Sequence, residues 1–325
     1  MKLLFVGDVM LGRLVNETLK HEPPEYPWGD TLDILKNANA RICNLECVIT
    51  DVGQPWSRTP KVFHFRTDEK NTAVLQVPPI NMVSIANNHV LDFEYEGLIR
   101  MVEVLKNSKI VFAGAGESFL DASTVGEYFT DSIIIGLIAF TDNEPDWEAA
   151  ENKPGAFYVP VDLKDKRTKN LFELVKKTRD DVDILIVSAH WGPNWGYRPQ
   201  PDHIPFAKQL IDSGADIIFG HSCHVFQGIE IYKGKPIIYS AGDFIDDYAV
   251  DEVERNEQSF IFMVETEGKK MVRLKLYPTV IRNMQARKAR DDEKVEIVAK
   301  MKDLCSEFDT KSRWNEKEGF LEIQI

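Results

Sequence analysis

The chain has 325 residues, 43% hydrophobic and 28% charged, and its 52 acidic residues outweigh 39 basic ones to leave a net charge of −13. That balance belongs to a folded chain with a real core and argues against disorder. The negative field disfavours nonspecific binding to nucleic acid or an anionic membrane, although bound metal ions can invert the sign locally and admit an anionic substrate.

Met1–Gly7 runs straight into a strand pattern, without a basic leader, long apolar stretch or cleavage site. No signal peptide is therefore expected, and a cytoplasmic location is. No apolar run approaches the ~18 residues of a membrane span. Short apolar runs predict strands at Leu3–Val6, Arg41–Leu45 and Met82–Ala86, followed by a helix around Glu94–Lys106. Further strands are predicted at Ile133–Ala139, Ile184–Ala189, Ile217–Phe219, Ile237–Ser240 and Phe260–Val264, with helices around Leu163–Thr178 and Ile204–Ser213. Gly214 is a natural stop for the last helix. Beyond Ser259 the pattern changes to two or three antiparallel strands up to Arg282, turning at Glu267-Gly268-Lys269. A charged helix, roughly Asp291 to Phe308, and a final strand, Phe320–Ile325, complete the chain. Alternating strands and helices predict an α/β fold. Asn143–Pro154 is the most linker-like stretch, but it is short, so residues 1–325 read as one domain with 259–325 as a β-rich C-terminal extension. Cys43, Cys47, Cys223 and Cys305 are too few and too scattered for a disulfide framework and are expected to be reduced.

The chemistry-bearing residues stand where strands end. Asp8 follows Leu3–Gly7, Glu46 closes Ile42–Leu45, and Asn88 and His89 follow Val83–Ala86. His190 follows Ile184–Ala189, and His221 and His224 follow Ile217–Gly220. Open α/β sheets place their sites beyond the carboxyl ends of the strands, so these side chains can meet on one rim. Carboxylates and imidazoles together suit Mn²⁺, Fe²⁺ or Zn²⁺. Two such ions, bridged by a carboxylate, can stabilise attacking and leaving oxygens, with metal-bound hydroxide as the nucleophile. Singly, each residue has a plainer use: an Asp after a strand usually caps a turn or helix. The Gly220-His221-Ser222-Cys223-His224 run is harder to assign to packing.

Those runs resemble the successive motifs of the CapA proteins: Gly7-Asp8-Val9-Met10-Leu11-Gly12-Arg13, Asn44-Leu45-Glu46, Ala86-Asn87-Asn88-His89, His190-Trp191-Gly192 and the His221–His224 run. The resemblance continues through Val225-Phe226-Gln227 and Tyr239–Phe244 to about residue 250, and the late Tyr277–Ile281 stretch also fits. The CapA family is named for bacterial poly-γ-glutamate capsule synthesis and belongs to the calcineurin-like metallophosphatase superfamily. The resemblance implies a four-layer α/β/β/α sandwich with a dinuclear site. Asp8 and His224 would hold one metal, Asn88, His190 and His221 the other, and Glu46 would bridge them. His89 would approach substrate and leaving group, and Arg13 would contact an anion.

Four departures stand out. Met10 replaces the histidine usual two residues after the first Asp, which predicts a weaker first metal position. Glu46 stands for a usual Asp, Ser222-Cys223 for a common His-Pro, and Asp243 for a usual Asn. Cys223 reads as a small spacer between two ligands. The leading functional expectation is hydrolysis of a phosphoester or similar anionic ester, on a small molecule or a polymer. A binding or assembly role in poly-γ-glutamate synthesis, and hydrolysis of a γ-glutamyl or other amide link, are the alternatives. Trp56, Phe63, Trp191, Trp195 and Tyr197 flank the proposed ligands and could wall a pocket, although aromatics more often fill cores.

Overall fold

The computed structural model describes residues 1–130 and 132–325. Along the chain run strands β1 (Lys2–Val9), β2 (Ala40–Leu45) and β3 (Met82–Ser84), helix α1 (Glu94–Asn107), and strands β4 (Val111–Ala113), β5 (Gly126–Phe129) and β6 (Ile134–Thr141). Next come α2 (Lys166–Thr178), β7 (Ile184–His190), α3 (His203–Ser213), β8 (Ile217–His221), β9 (Ile229–Tyr232), β10 (Lys235–Ile238) and β11 (Asp243–Ile245). The last part holds β12 (Gln258–Glu267), β13 (Lys270–Arg282), β14 (Gln285–Lys288), α4 (Asp291–Ser306), β15 (Ser312–Asn315) and β16 (Phe320–Ile323).

Among the described residues these strands form a ten-stranded and a six-stranded sheet. The larger runs β15-β16-β13-β12-β1-β2-β3-β4, with β11 also beside β1 and β14 beside β13. Its β1–β4 half is parallel and its C-terminal half antiparallel. The smaller runs β9-β10-β8-β7-β6-β5, parallel from β6 through β10.

Strand alternation builds the layers. In β1, Leu3 and Phe5 share a core with Ile184, Ile186, Ile217 and Phe219 of the second sheet, whereas Leu4 and Val6 face the opposite way. Those outward side chains pack with Leu98, Met101 and Leu105 of α1. On the second sheet, Leu185, Val187 and Ile218 pack with Leu171 and Val175 of α2 and Phe206 and Leu210 of α3. Helix, sheet, sheet and helix follow one another, which is the expected α/β/β/α sandwich. Strands buried on both faces must be apolar throughout, which is why β1, β7 and β8 read as unbroken hydrophobic runs.

Local chemistry agrees with these boundaries. Asp165 caps α2 by accepting from the Arg167 backbone N–H, as N-cap carboxylates do. Asp291, Asp292 and Glu293 place negative charge in the first turn of α4, where the helix dipole favours it. Helix α4 presents Ile297, Met301 and Leu304 to the core between the sheets, closing that core at its C-terminal side. The short strands β5, β11, β14 and β15 lack enough length for a legible period. The stretch around Asn143–Pro154 is held by Trp147, which is fully buried. No helix among the described residues is long and apolar enough to cross a membrane.

Candidate metal centre

Two glycines let the strand ends converge. A Cβ on Gly7 would lie 1.8 Å from the Gly242 carbonyl oxygen, and one on Gly220 would lie 2.0 Å from that of Tyr239. Immediately after Gly7, the β1 register shifts on both sides of Asp8, and the Asp8 N–H donates to Gly242 O at 3.0 Å. Such an irregularity re-aims a side chain, and it sets Asp8 directly beside Asp243 of β11 and Asn44 of β2. His190 and His221 end the neighbouring strands β7 and β8 in register with each other. Ser222, at φ 99°, turns the chain so that His224 returns to the same side.

Asp8, Glu46, Asn88, His89, His190, His221 and His224 are thereby brought to one end of the sandwich. His190 Nδ1 lies 2.9 Å from His221 Nδ1, and its Nε2 lies 3.0 Å from Asn88 Oδ1. Ser188 Oγ orients His221 through Nε2 at 2.7 Å. Asn44 donates to Asp8 Oδ1 at 2.8 Å and itself receives from Asn87 at 3.0 Å. Two groups of donors have atoms all within 4.8 Å of one another: Asp8, His190 and His221, and Asp8, Glu46, His224 and Asp243. Asp8 belongs to both.

Arg13 is not among them. Its guanidinium pairs with Asp247 at 3.3 Å and lies 5.7 Å from the ring centre of Phe65, leaving the side chain 40% exposed. Phe65 in turn stacks on His89, centroid to centroid at 3.9 Å, so Arg13 stands one ring outside the cluster. Of the five flanking aromatics, only Trp195 and Phe63 are open to solvent. Trp195 packs edge-on against His224, and Phe63 lies under Arg13. Trp56 packs on Trp147, Tyr197 on Phe226, and Trp191 is a core residue among Phe140, Phe206 and Tyr239. Met10 is fully buried in the outer core and accepts the Gly12 N–H on its sulfur at 3.0 Å. All four cysteines are free and buried, and Cys223 points its thiol at the Gly196 carbonyl.

Three contributors escaped sequence reasoning, and a fourth, Asp92, joins them as the partner of His89. Asp243 joins the donors, and its Oδ1 accepts from His224 Nδ1 at 3.0 Å. Asp246 is buried close behind, its carboxyl raised by that burial and by the neighbouring Asp243 charge. Asp92 accepts from His89 Nδ1 at 2.6 Å. Lys61 reaches in from the preceding loop, bonding the Asn88 carbonyl, pairing with Glu144 at 2.9 Å and lying 3.8 Å from Asp92. The Asp92 signal was available, since Asn-His followed three residues later by an acid can tie an imidazole to its own turn. Lys61 carried no signal.

The electrostatics suit a cation. Burial pushes the Asp8 carboxyl up to about 6, against the opposing hydrogen bond from Asn44. Glu46, Asp243 and Asp246 are also raised, first by burial and then by neighbouring carboxylate charge. Burial lowers His190, His221 (to about 3) and His224, so their imidazoles are neutral. Neutral imidazoles are the ligand state, and a divalent ion reverses the mutual repulsion of the carboxylates. Asp8 Oδ2, Glu46 Oε2 and Asp243 Oδ2 are buried acceptors with no hydrogen-bond partner. Such atoms are costly unless something positive meets them. The donor set therefore fits one or two divalent ions.

Residues 2–248 match the family model described as "Bacterial capsule synthesis protein PGA_cap". The chain belongs to this family. Its relatives include two probable polyglutamine synthesis accessory proteins from strains of Mycobacterium tuberculosis, 32% identical over 332 residues that cover 88% of this chain and 86% of theirs. The capsule biosynthesis protein CapA of Bacillus anthracis is 28% identical over 251 residues, covering 75% of this chain and 59% of its own. The PGA biosynthesis protein CapA of Bacillus subtilis is 28% identical over 245 residues, with 75% and 62% covered. This PGA_cap chain thus spans about three fifths of the CapA proteins. Among solved structures, a hypothetical protein from Thermus thermophilus aligns with a TM-score of 0.49 at 13% identity, over 86% of this chain and 98% of its own. A putative 5'-nucleotidase from Staphylococcus aureus aligns at 0.48 and 14%, over 95% and 58%. Neither likeness bears on what the chain does.

Proposed function

We propose that this PGA_cap protein is a metal-dependent hydrolase of an anionic ester, a phosphoester first, acting in capsule or poly-γ-glutamate synthesis. The observation that carries the reading is the meeting of Asp8, Glu46, His190, His221 and His224 at one sheet end, with unpartnered carboxylate oxygens among them. A bound divalent ion would supply Lewis-acid activation of water and neutralise charge on the substrate.

The chain's own residues do the rest. Asp92 accepts the hydrogen bond from His89 Nδ1, and Phe65 fixes the plane of the imidazole ring. His89 Nε2 is then left toward the cluster, 3.8 Å from Glu46 Oε1, where its protonated form can hand a proton to a leaving oxygen. Arg13, held by Asp247 and by two aromatic faces, offers a positive group at the rim for a substrate anion. Lys61 ties the loop that carries Phe65 to the Asn88 carbonyl. Asn44 and Asn87 form a hydrogen-bonded floor that orients Asp8.

A second substrate class for the same centre is the γ-glutamyl amide link, and the relatives are named for polyglutamine, capsule or PGA synthesis. The test is a turnover screen of purified protein with added Mn²⁺, using nitrophenyl phosphate mono- and diesters and γ-glutamyl peptides, with His221→Ala alongside. Metal-dependent turnover that His221→Ala abolishes is expected. Full metal content without turnover on either class would instead leave a binding or assembly role.

A further inference from the structure

The two donor groups sharing Asp8 differ in chemistry. One is Asp8 with the imidazoles of His190 and His221, with Asn88 Oδ1 at 3.0 Å from His190. The other sets three carboxylates, Asp8, Glu46 and Asp243, around a single imidazole, His224. Oxygen donors suit hard ions such as Mg²⁺ and Mn²⁺, whereas imidazole suits Zn²⁺ and Fe²⁺. Asp243 makes the difference, and its two oxygens are not equivalent. Oδ1 accepts from His224 Nδ1 at 3.0 Å, which leaves the other ring nitrogen of His224 free to bind. Oδ2 is buried without any partner, and β11 holds it opposite Asp8 in register. Met10, two residues beyond Asp8, adds nothing to this group because its sulfur is engaged by the Gly12 amide in the outer core.

We propose that the centre is chemically split: the Asp8–Glu46–Asp243–His224 group is a manganese- or magnesium-type position and the Asp8–His190–His221 group a zinc- or iron-type position, with Asp243 acting both as the orienter of His224 and, through Oδ2, as a ligand. The sequence expectation of a weak first position is thereby replaced by one of different selectivity. The inference rests on the metal-centre part of the proposed function and not on turnover.

Divalent zinc outranks manganese at most mixed sites, so the split is read from displacement. Protein loaded with Mn²⁺ is titrated with Zn²⁺ at buffered free concentration, and released Mn²⁺ is followed by electron paramagnetic resonance. Two equivalents of Mn²⁺ should leave in two phases, the second needing at least tenfold more free Zn²⁺. Asp243→Asn keeps an acceptor for His224 but removes the charge, so the second phase should merge with the first while zinc is retained. His190→Asn should remove the first phase and spare the second. A single phase in the unaltered protein, or one equivalent only, overturns the split while leaving a metal centre in place. An unchanged second phase in Asp243→Asn makes Asp243 an orienter alone and overturns its assignment as a ligand. If the unaltered protein binds neither ion, the metal-centre reading fails and takes the inference with it. Should Asp243→Asn not fold, the two-phase displacement in the unaltered protein and in His190→Asn still decides the split.

Discussion

Gly7 joins the fold to the centre, and Gly7→Ala tests that link. The added Cβ would sit 1.8 Å from Gly242 O and 2.9 Å from Gly242 C, both backbone atoms that no rotamer change can move aside. Relief requires β1 and β11 to separate by more than an ångström. That breaks the 3.0 Å bond from Asp8 N to Gly242 O, worth about 1 kcal/mol. Backbone overpacking of this kind adds typically about 1–3 kcal/mol, so a loss of roughly 2–4 kcal/mol is expected. For 325 residues, an unfolding entropy of about 2.1 cal/mol/K per residue converts this to a Tm lower by about 3–6 °C. Asp8 and Asp243 would be parted by the same movement, so retained Mn²⁺ should fall with Tm. Differential scanning calorimetry and metal analysis on the same preparation read both. A Tm within 1 °C of the parent with full metal content would show that the strands do not approach so closely and would refute the reasoning.

Three other perturbations separate roles. His89→Asn should keep metal content but cut turnover at least tenfold on substrates with poor leaving groups, within the range of about 10²–10⁴ for positioned acid catalysis; equal losses on good leaving groups would remove the acid role. Phe65→Ala takes away the ring stacked on His89 and should lower kcat with metal content intact, so unaltered kinetics would make that ring a filler. Burial and the stacked Trp191 ring surround His203, whose pKa falls from 6.5 to about 4. The unfolded chain therefore takes up that proton first. The stabilisation is full above about pH 6.5 and is lost as pH falls toward 4, amounting to roughly 3 kcal/mol. His203→Phe should flatten the urea-measured stability across that window, and an unchanged slope would dissociate His203 from it.

The sandwich was legible because strands buried on both faces must be apolar. Leu3–Val6, Ile184–Ala189 and Ile217–Phe219 carried that mark, and their ends pointed to Asp8, His190 and His221. What escaped depends on tertiary contact. β11 has three residues and no period, so Asp243 was seen as a motif departure and not as a neighbour of Asp8. Lys61 and Phe65 come from a loop whose path is set by what it lies against. Trp191 shares its motif with His190 but faces the outer core, so proximity in sequence misled about proximity to the site. Met10 was weighed only as a missing ligand, although its burial gives it a packing role of its own.

The claim on which everything else depends is that the strand-end cluster is a metal centre. Anomalous diffraction from crystals grown with Mn²⁺ tests it most directly. An anomalous peak is expected within coordination distance of Asp8, accompanied by Glu46 and Asp243 oxygens and by His224, and none in crystals of Asp8→Ala. Ordered crystals of the unaltered protein with no peak among these side chains would contradict it.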